Sequence, residues 1–204
     1  MAKQSTFAKL LDRSSIELSD LQRKSTGWFN KRISEFTDVK SMREERFMSG
    51  DVSLKTNTIM PGEMYMFVYQ AKGAADLPYW DRFPLVFPFS KTQNSFHALT
   101  LHYLPYKYRA VLLDRLMDFS TDSSLSKDTR LKLKWQTISS FSKFGYAQVC
   151  VKQYLFSHVR SQFKRVLPED WASAILLPTE RFQGANTSAV WNDTIRKLKQ
   201  SGVI

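Results

Sequence analysis

Five of the seven prolines lie between residues 61 and 115, in the stretch that also carries the densest run of aromatic and aliphatic side chains. Each proline removes a backbone donor and restricts the residue before it, so this stretch cannot form one long helix. Three runs between the prolines, residues 64–69, 85–89 and 95–104, are rich in aromatic and β-branched residues and predict strands. The stretch therefore predicts a small antiparallel sheet of about three strands, which forms the hydrophobic nucleus.

Two details place these strands within the sheet. Pro88 cannot donate to a ladder, so the second run is expected at an edge or with a bulge. The third run is apolar on both faces and is expected to be central. His97 and His102 are an odd number of residues apart on this run, so they point to opposite faces and cannot chelate a metal as a local pair.

After Pro105 the apolar residues recur at spacings of three and four, which predicts helices. The expected ranges are 106–119, 129–144, 148–166, 168–178 and 187–200. The fold class predicted from this order is α+β, with the small sheet followed by a cluster of helices. We expect residues 61–204 to form one compact core domain.

Residues 1–60 are polar and charged and contain no proline. Apolar residues at helical spacing between positions 15 and 36 predict a helix, so we interpret residues 1–60 as a basic helical N-terminal arm with a linker. Trp28 and Phe29 lie on this arm and are candidate protein-binding residues.

The net charge of +11 favours anionic partners, among them nucleic acid, anionic lipid and acidic protein surfaces. An apolar share of 43% is typical of a folded protein. Cys150 is the single cysteine, so no internal disulfide can form, which suits a reducing compartment. We find no apolar run of the length of a signal peptide or a membrane span, and expect a soluble protein made inside the cell.

The positive charge is concentrated in residues 120–204, which hold 13 Lys and Arg against six Asp and Glu. If residues 148–166 are helical, Lys152, Arg160 and Lys164 line one face of that helix. An amphipathic helix with a solvated face explains this pattern as well as a phosphate-binding surface does. The candidate nucleic-acid-binding residues are Lys132, Lys134, Lys152, Arg160, Lys164, Arg165, Arg196, Lys197 and Lys199.

Motifs for common enzyme chemistry are absent from the sequence. The seven glycines form neither of the phosphate-binding patterns GxGxxG and GxxxxGKS/T, and neither GxSxG nor HExxH occurs. We therefore predict no catalytic residues, no metal and no cofactor. Asp81 next to Arg82 is interpreted as an ion pair that anchors the loop around it.

The aromatic residues of the nucleus have two interpretations, core packing and a base-stacking platform. They alternate with aliphatic residues and not with Lys or Arg, which favours core packing. The series consists of Tyr65, Phe67, Tyr69, Tyr79, Trp80, Phe83, Phe87, Phe89, Phe96 and Tyr103.

The segments LPYWDRFPLVFPF, FHALTLHYLPYKYRAVLLDRL, KQYLFSHVRSQF, PEDWASAILLPTERF and VWNDTIRK occur in this order between residues 61 and 197. In these segments the chain resembles a group of small proteins of large contractile-tailed bacteriophages, whose members are often labelled as protectors of the ends of packaged DNA. The usual glycine-rich turn before the third strand is replaced here by SKTQNSFHA. The resemblance implies a virion or assembly role without catalysis, with double-stranded DNA or other phage structural proteins as partners.

A second hypothesis is a tail, neck or baseplate subunit that binds other virion proteins through Trp28 and Phe29. Under that hypothesis the positive charge is only a solvated surface. The two hypotheses differ in salt dependence, because phosphate binding weakens steeply with ionic strength and an apolar interface does not.

Overall fold

The computed structural model describes residues 55–104, 148–171 and 180–201, together with Arg109 and positions 124, 126, 129, 132 and 135–138. Eight antiparallel strands form two sheets in this part of the chain.

The main sheet has six strands, in the spatial order β1-β7-β2-β4-β5-β6, and every neighbouring pair is antiparallel. The strands are β1 (Lys55–Thr56), β2 (Met64–Met66), β4 (Leu85–Lys91), β5 (Ser95–Thr100), β6 (Val151–Leu155) and β7 (Phe163–Val166). A second sheet pairs β3 (Trp80–Asp81) with β8 (Phe182–Gln183). Three short 3-10 helices, Leu101–Tyr103, Phe156–His158 and Pro168–Asp170, follow β5, β6 and β7.

The main sheet curls until the segment after β6 meets the extension of β2. Tyr69 forms an isolated bridge with Val159, and the Gln70 N–H donates to the His158 carbonyl at 3.0 Å. The Arg160 N–H donates to the Val68 carbonyl at 2.8 Å. The sheet therefore has a concave face that is almost enclosed by its own strands.

Aromatic side chains fill this concave face, with Phe67 at their centre. The Phe67 ring is fully buried and makes edge-to-face contacts with Tyr154 at 5.3 Å, Phe163 at 5.0 Å and Phe96 at 5.8 Å between ring centroids. Tyr65 and Tyr69 belong to the same cluster. Because edge-to-face pairs add to the burial of apolar area, this cluster is the main source of stability on the concave face.

The convex face is covered by other parts of the chain. Phe87 contacts the buried Trp171 edge-to-face at 5.3 Å, and the Trp171 indole N–H donates to the Val166 carbonyl at 3.0 Å. Trp135 donates its indole N–H to the Phe89 carbonyl at 2.9 Å. Both faces of β4 and β5 are thus buried, which explains the apolar residues at successive positions of these strands.

The C-terminal helix α1 (Thr187–Gln200) begins at Asn186, whose side chain accepts a hydrogen bond from the Ala189 N–H at 2.8 Å. Val190, Thr194 and Leu198 are its buried residues and lie four apart, so they form one face of the helix. The predicted helix over 187–200 is confirmed.

The predicted fold class, a small sheet of about three strands followed by a cluster of helices, is wrong. The described residues form eight strands in two sheets, and most of the predicted helix over 148–166 consists of β6, the 3-10 helix Phe156–His158 and β7. The spacing of Val151, Leu155, Val159 and Phe163 is four residues, which fits a helical turn. Four is also an even number, so the same residues fit the two-residue period of a strand.

The three predicted strands occur as β2, β4 and β5, but two are shorter than predicted. β2 ends at Met66, and residues 101–103 form a 3-10 helix in place of the end of the third strand, so His102 does not lie on that strand. The register shifts between Pro88 and Ser90, where a bulge was expected, although β4 lies inside the sheet and not at its edge. The central position predicted for β5 is also confirmed. The helix predicted over 106–119 and most of those predicted over 129–144 and 168–178 lie outside the described residues. The division into an arm of residues 1–60 and a core of residues 61–204 stays a prediction.

The substitution Phe67→Ala should destabilise the fold by about 4 kcal/mol, because it leaves a cavity at the centre of the aromatic cluster. The measurement is urea-induced unfolding followed by circular dichroism. As a control, Gln70→Ala should change the free energy of unfolding by less than about 0.5 kcal/mol, because the Gln70 side chain is exposed. Equal effects of the two substitutions would contradict the central role of Phe67.

Candidate nucleic-acid interface

A cleft of about 550 Å³ opens at one end of the concave face. Its walls come from the loop after β2, from β6, from the 3-10 helix Leu101–Tyr103 and from α1. The lining residues are Tyr69, Ala71, Lys72, Leu77, Pro78, Tyr79, Trp80, Asp81, Tyr103, Lys152, Gln153, Tyr154, Leu155 and Lys197. Three lysines and several aromatic side chains therefore surround one opening.

A buried carboxylate holds the loop that forms one wall of the cleft. Asp81 is hydrogen-bonded to His102, and both side chains are buried. The other carboxylate oxygen of Asp81 accepts from the Phe83 N–H at 3.0 Å and from the Arg181 N–H at 3.4 Å. Asp81 anchors the loop as predicted, but its partners are His102 and two backbone amides, not the neighbouring Arg82.

A glycine permits the close approach of β8 to the same loop. Gly184 has a φ of 86°, a backbone conformation that residues other than glycine rarely adopt. A Cβ atom at this position would lie 2.6 Å from the Pro78 carbonyl oxygen. Any larger residue at Gly184 would therefore displace the wall that carries Tyr79 and Trp80.

A buried ion pair joins the end of the 3-10 helix to the segment before β8. The Arg109 guanidinium contacts the Glu180 carboxylate and donates to the carbonyls of Leu104 at 2.7 Å and His102 at 3.1 Å. The Trp191 indole N–H of α1 donates to the same His102 carbonyl at 2.8 Å. These contacts fix α1 against the sheet and so determine where its basic residues lie.

Lys152 extends from β6 along the concave face towards the cleft. Its ammonium lies 4.4 Å from the centre of the Tyr103 ring, within the range of a cation–π contact. Burial lowers the pKa of Lys152, and the nearby charge of Lys197 lowers it further, while Cys150 raises it. The carboxylate of Asp193 also raises the pKa of Lys152, so this lysine is under the electrostatic influence of both Asp193 and Lys197.

Asp193 of α1 positions the second lysine. Its carboxylate accepts from Lys197 at 2.7 Å, from the Tyr79 hydroxyl at 2.5 Å and from Arg196 at 2.5 Å. Hydrogen bonds from Lys197 and Tyr79 hold the pKa of Asp193 well below its usual value. The hydrogen bond to Asp193 likewise raises the pKa of Lys197, so this lysine remains charged throughout the neutral range.

Of the eight candidate nucleic-acid-binding residues that the structure describes, two, Lys152 and Lys197, line the cleft. Lys152 pairs with Ala98 and Lys164 pairs with Met66, so the two lysines point to opposite faces of the sheet and do not share the face of a helix. Lys164 is only 4% exposed. Arg165 is half-buried on β7, and Lys132, Arg160, Arg196 and Lys199 are exposed.

Three of the remaining candidates, Lys134, Trp28 and Phe29, lie outside the described residues, so the structure does not bear on the protein-binding arm. Four residues that line the cleft are not among the binding residues predicted from the sequence: Lys72, Tyr79, Trp80 and Tyr103. Lys72 precedes a glycine in a loop and belongs to no periodic pattern. The aromatic three were assigned to the core, and Tyr103 is indeed buried, while Tyr79 and Trp80 are half-buried at the opening.

Two further features are absent from the described part of the chain. No group of three or more His, Cys, Asp or Glu residues there has an arrangement suited to a metal ion. No helix among the same residues is both long enough and apolar enough to cross a membrane.

A family model described as phage T4 terminal DNA protecting protein matches residues 7–194 of the chain. The match spans almost the entire sequence and confirms the resemblance to phage proteins that protect DNA ends. No curated protein and no solved structure matches the chain.

The substitution Asp81→Ala should destabilise the protein by about 3 kcal/mol, because it leaves His102 and two backbone amides without their buried acceptor. Asp81→Asn retains one acceptor oxygen, so it should cost less. Thermal unfolding of both variants measures the difference. A wild-type melting temperature for Asp81→Ala would contradict the anchoring role of this carboxylate.

The thiol of Cys150 should be unreactive in the folded protein. Burial raises its pKa to about 12, and only the thiolate is a good nucleophile. At pH 8 the native protein should therefore react with a disulfide reagent such as DTNB only as fast as it unfolds, whereas the chain in urea should react at once. Rapid reaction of the native protein would show that Cys150 is accessible.

Proposed function

The chain belongs to the family of the phage T4 terminal DNA protecting protein, and from this premise we propose that it binds the ends of packaged double-stranded DNA of a bacteriophage and acts by binding, without catalysis. The observation that carries the proposal is the match over residues 7–194. The fold contributes a cleft that is rimmed by positive side chains and that is formed by elements far apart in the sequence.

The distribution of charge supports contact with phosphates. Exposed basic residues on α1, namely Arg196, Lys197 and Lys199, lie in the last two turns of the helix. Lys197 extends this positive region into the cleft, where Lys72 and Lys152 lie. A positive surface of this kind attracts the DNA backbone and releases its counterions, so the binding should depend strongly on salt.

Of the candidate residues, we assign phosphate contact to those with exposed charges: Lys132, Arg160, Arg196, Lys197 and Lys199. Lys152 is half-buried and can contact an anion only if the anion enters the cleft. Lys164 is left out of the interface because it is buried on the convex face.

The buried residues of types that can act as general acids or bases make structural contacts with each other. Asp81 and His102 are bonded to each other and buried, and Glu180 is paired with the buried Arg109. These contacts support the proposal that the protein protects a DNA end by binding to it, without catalysis. We further propose that the protein is made in the host and carried in the virion, where other phage structural proteins contact its N-terminal arm.

Binding to linear duplex DNA should exceed binding to circular DNA of equal length, and it should weaken steeply between low and moderate salt. Each phosphate contact contributes about 0.9 to the slope of log affinity against log salt. The measurement is a filter-binding or fluorescence anisotropy titration at several salt concentrations, with heparin as a polyanion control. Equal affinity for linear and circular DNA would overturn the proposal.

The substitution Arg160→Ala tests a single phosphate contact away from the cleft. It should lower the salt slope by about 1 for linear and circular DNA alike, because a phosphate contact carries no information about ends. Gln93→Ala is a neutral, exposed control in the loop between β4 and β5, outside the cleft, and should leave the slope unchanged. An unchanged slope for Arg160→Ala would remove this residue from the interface.

A further inference from the structure

We propose that the cleft receives the terminal nucleotide of one DNA strand, with its phosphate between Lys152 and Lys197 and its base against Tyr79 and Trp80. This inference rests on the proposed function and deepens it, because it states which part of the DNA is recognised. The cleft is the place in the described structure where aromatic surfaces and several ammonium groups face one opening.

The size of the cleft selects a single nucleotide over a duplex. Its volume of about 550 Å³ is within the range of pockets that bind small organic ligands. A duplex is far wider, since its major groove alone measures about 12 Å across. Only a nucleotide that has left the helical stack can enter.

The walls of the cleft match the two parts of a nucleotide. Trp80 and Tyr79 are half-buried at the opening, and Leu77 and Pro78 next to them are exposed. Aromatic rings bind bases by stacking without regard to sequence, which a protector of DNA ends requires. Lys72, Lys152 and Lys197 supply the positive charge for the phosphate.

Acidic groups also face this region, and they do not cancel its charge. Asp81 lines the floor, but it is bonded to His102. Asp193 contacts Lys197 and Arg196, so one carboxylate serves two cations. Asp193 also attracts the ammonium of Lys152 at longer range, without forming an ion pair with it. An incoming phosphate would lie between Lys152 and Lys197 and would relieve the repulsion between them.

Entry of a terminal nucleotide explains a preference for ends in physical terms. Extracting a base from the middle of a duplex breaks its pairing and its stacking on both sides, whereas a terminal base is stacked on one side only. The cost is therefore lowest at an end, and circular DNA has no such position. A cleft for one nucleotide thus distinguishes ends without reading their sequence.

A peptide strand is the main competing occupant, because β6 is an outer strand of the sheet. The Thr100 N–H donates to the Cys150 carbonyl, so the backbone groups of Val151, Gln153 and Leu155 point away from β5. The Leu155 N–H already donates to the Tyr69 hydroxyl at 3.3 Å. The remaining edge is shorter than an ordinary strand of five or six residues, which favours the nucleotide.

The test compares the affinity ratio for linear against circular DNA in Lys152→Met, Lys197→Met and wild type. Methionine keeps most of the apolar length of lysine and removes its charge. Each substitution should lower the ratio by about tenfold. Lys91→Met removes an equal charge at the end of β4, outside the cleft, and should leave the ratio unchanged. Lys197 is exposed, so its variant should fold normally, which thermal unfolding checks for all three.

A second measurement uses 5′-phosphorylated tetrathymidylate as a competitor. It should displace linear DNA from the wild-type protein and should do so at least about tenfold less well from Lys152→Met. A glutamate-rich peptide of equal charge should not compete. Equal competition by that peptide would overturn the inference, because the cleft would then recognise charge alone or a peptide strand.

The outcomes separate this inference from the proposed function. If wild type prefers linear DNA and both cleft variants keep that preference, the cleft is not the site, while end binding stands. If wild type shows no preference for linear DNA, end binding itself fails and the inference fails with it.

Discussion

The rest of the structure depends on the packing of the Phe67 ring, which contacts the rings of Phe96, Tyr154 and Phe163 edge-to-face. Phe67 directly follows β2, and the other three side chains come from β5, β6 and β7, so the four meet only if the sheet curls. Burial of their apolar area favours that curl, and the backbone bridge between Tyr69 and Val159 completes it. The cleft exists because this curled sheet is open at one end.

Two buried pairs of polar side chains determine the shape of that opening. Asp81 with His102 holds one wall, and Arg109 with Glu180 holds the segment before β8. A buried pair of this kind gains little net stability over an apolar alternative, but it is costly to break, so it acts mainly to specify one arrangement. The walls can therefore present Lys152 and other ammonium groups to an anion without collapsing around them.

The candidate site was only partly predictable from sequence. The surplus of positive charge after residue 120 predicted Lys152 and Lys197 as binding residues, and the structure places both at one cleft. The supposed helical face that joined Lys152 to Lys164 does not exist. A four-residue repeat fits both a helix and a strand, and short apolar segments cannot be assigned by period alone. The position of Lys72 at the cleft could not be predicted from the sequence, because a lysine in a loop is brought to a cleft only by the tertiary structure around it.

The sequence by itself determined the strands β2, β4 and β5, the bulge near Pro88 and the helix α1, since each depends on local chemistry: strand-forming side chains, a missing proline donor and an N-cap at Asn186. It also determined the strong positive charge and the family to which the chain belongs. Tertiary structure alone decided that residues 151–155 and 163–166 are strands, and that β6 and α1 meet across one cleft. These outcomes depend on contacts between segments that are distant in the sequence, such as the pairing of Lys55 with Lys164. The free energy of such contacts is not encoded in any local pattern.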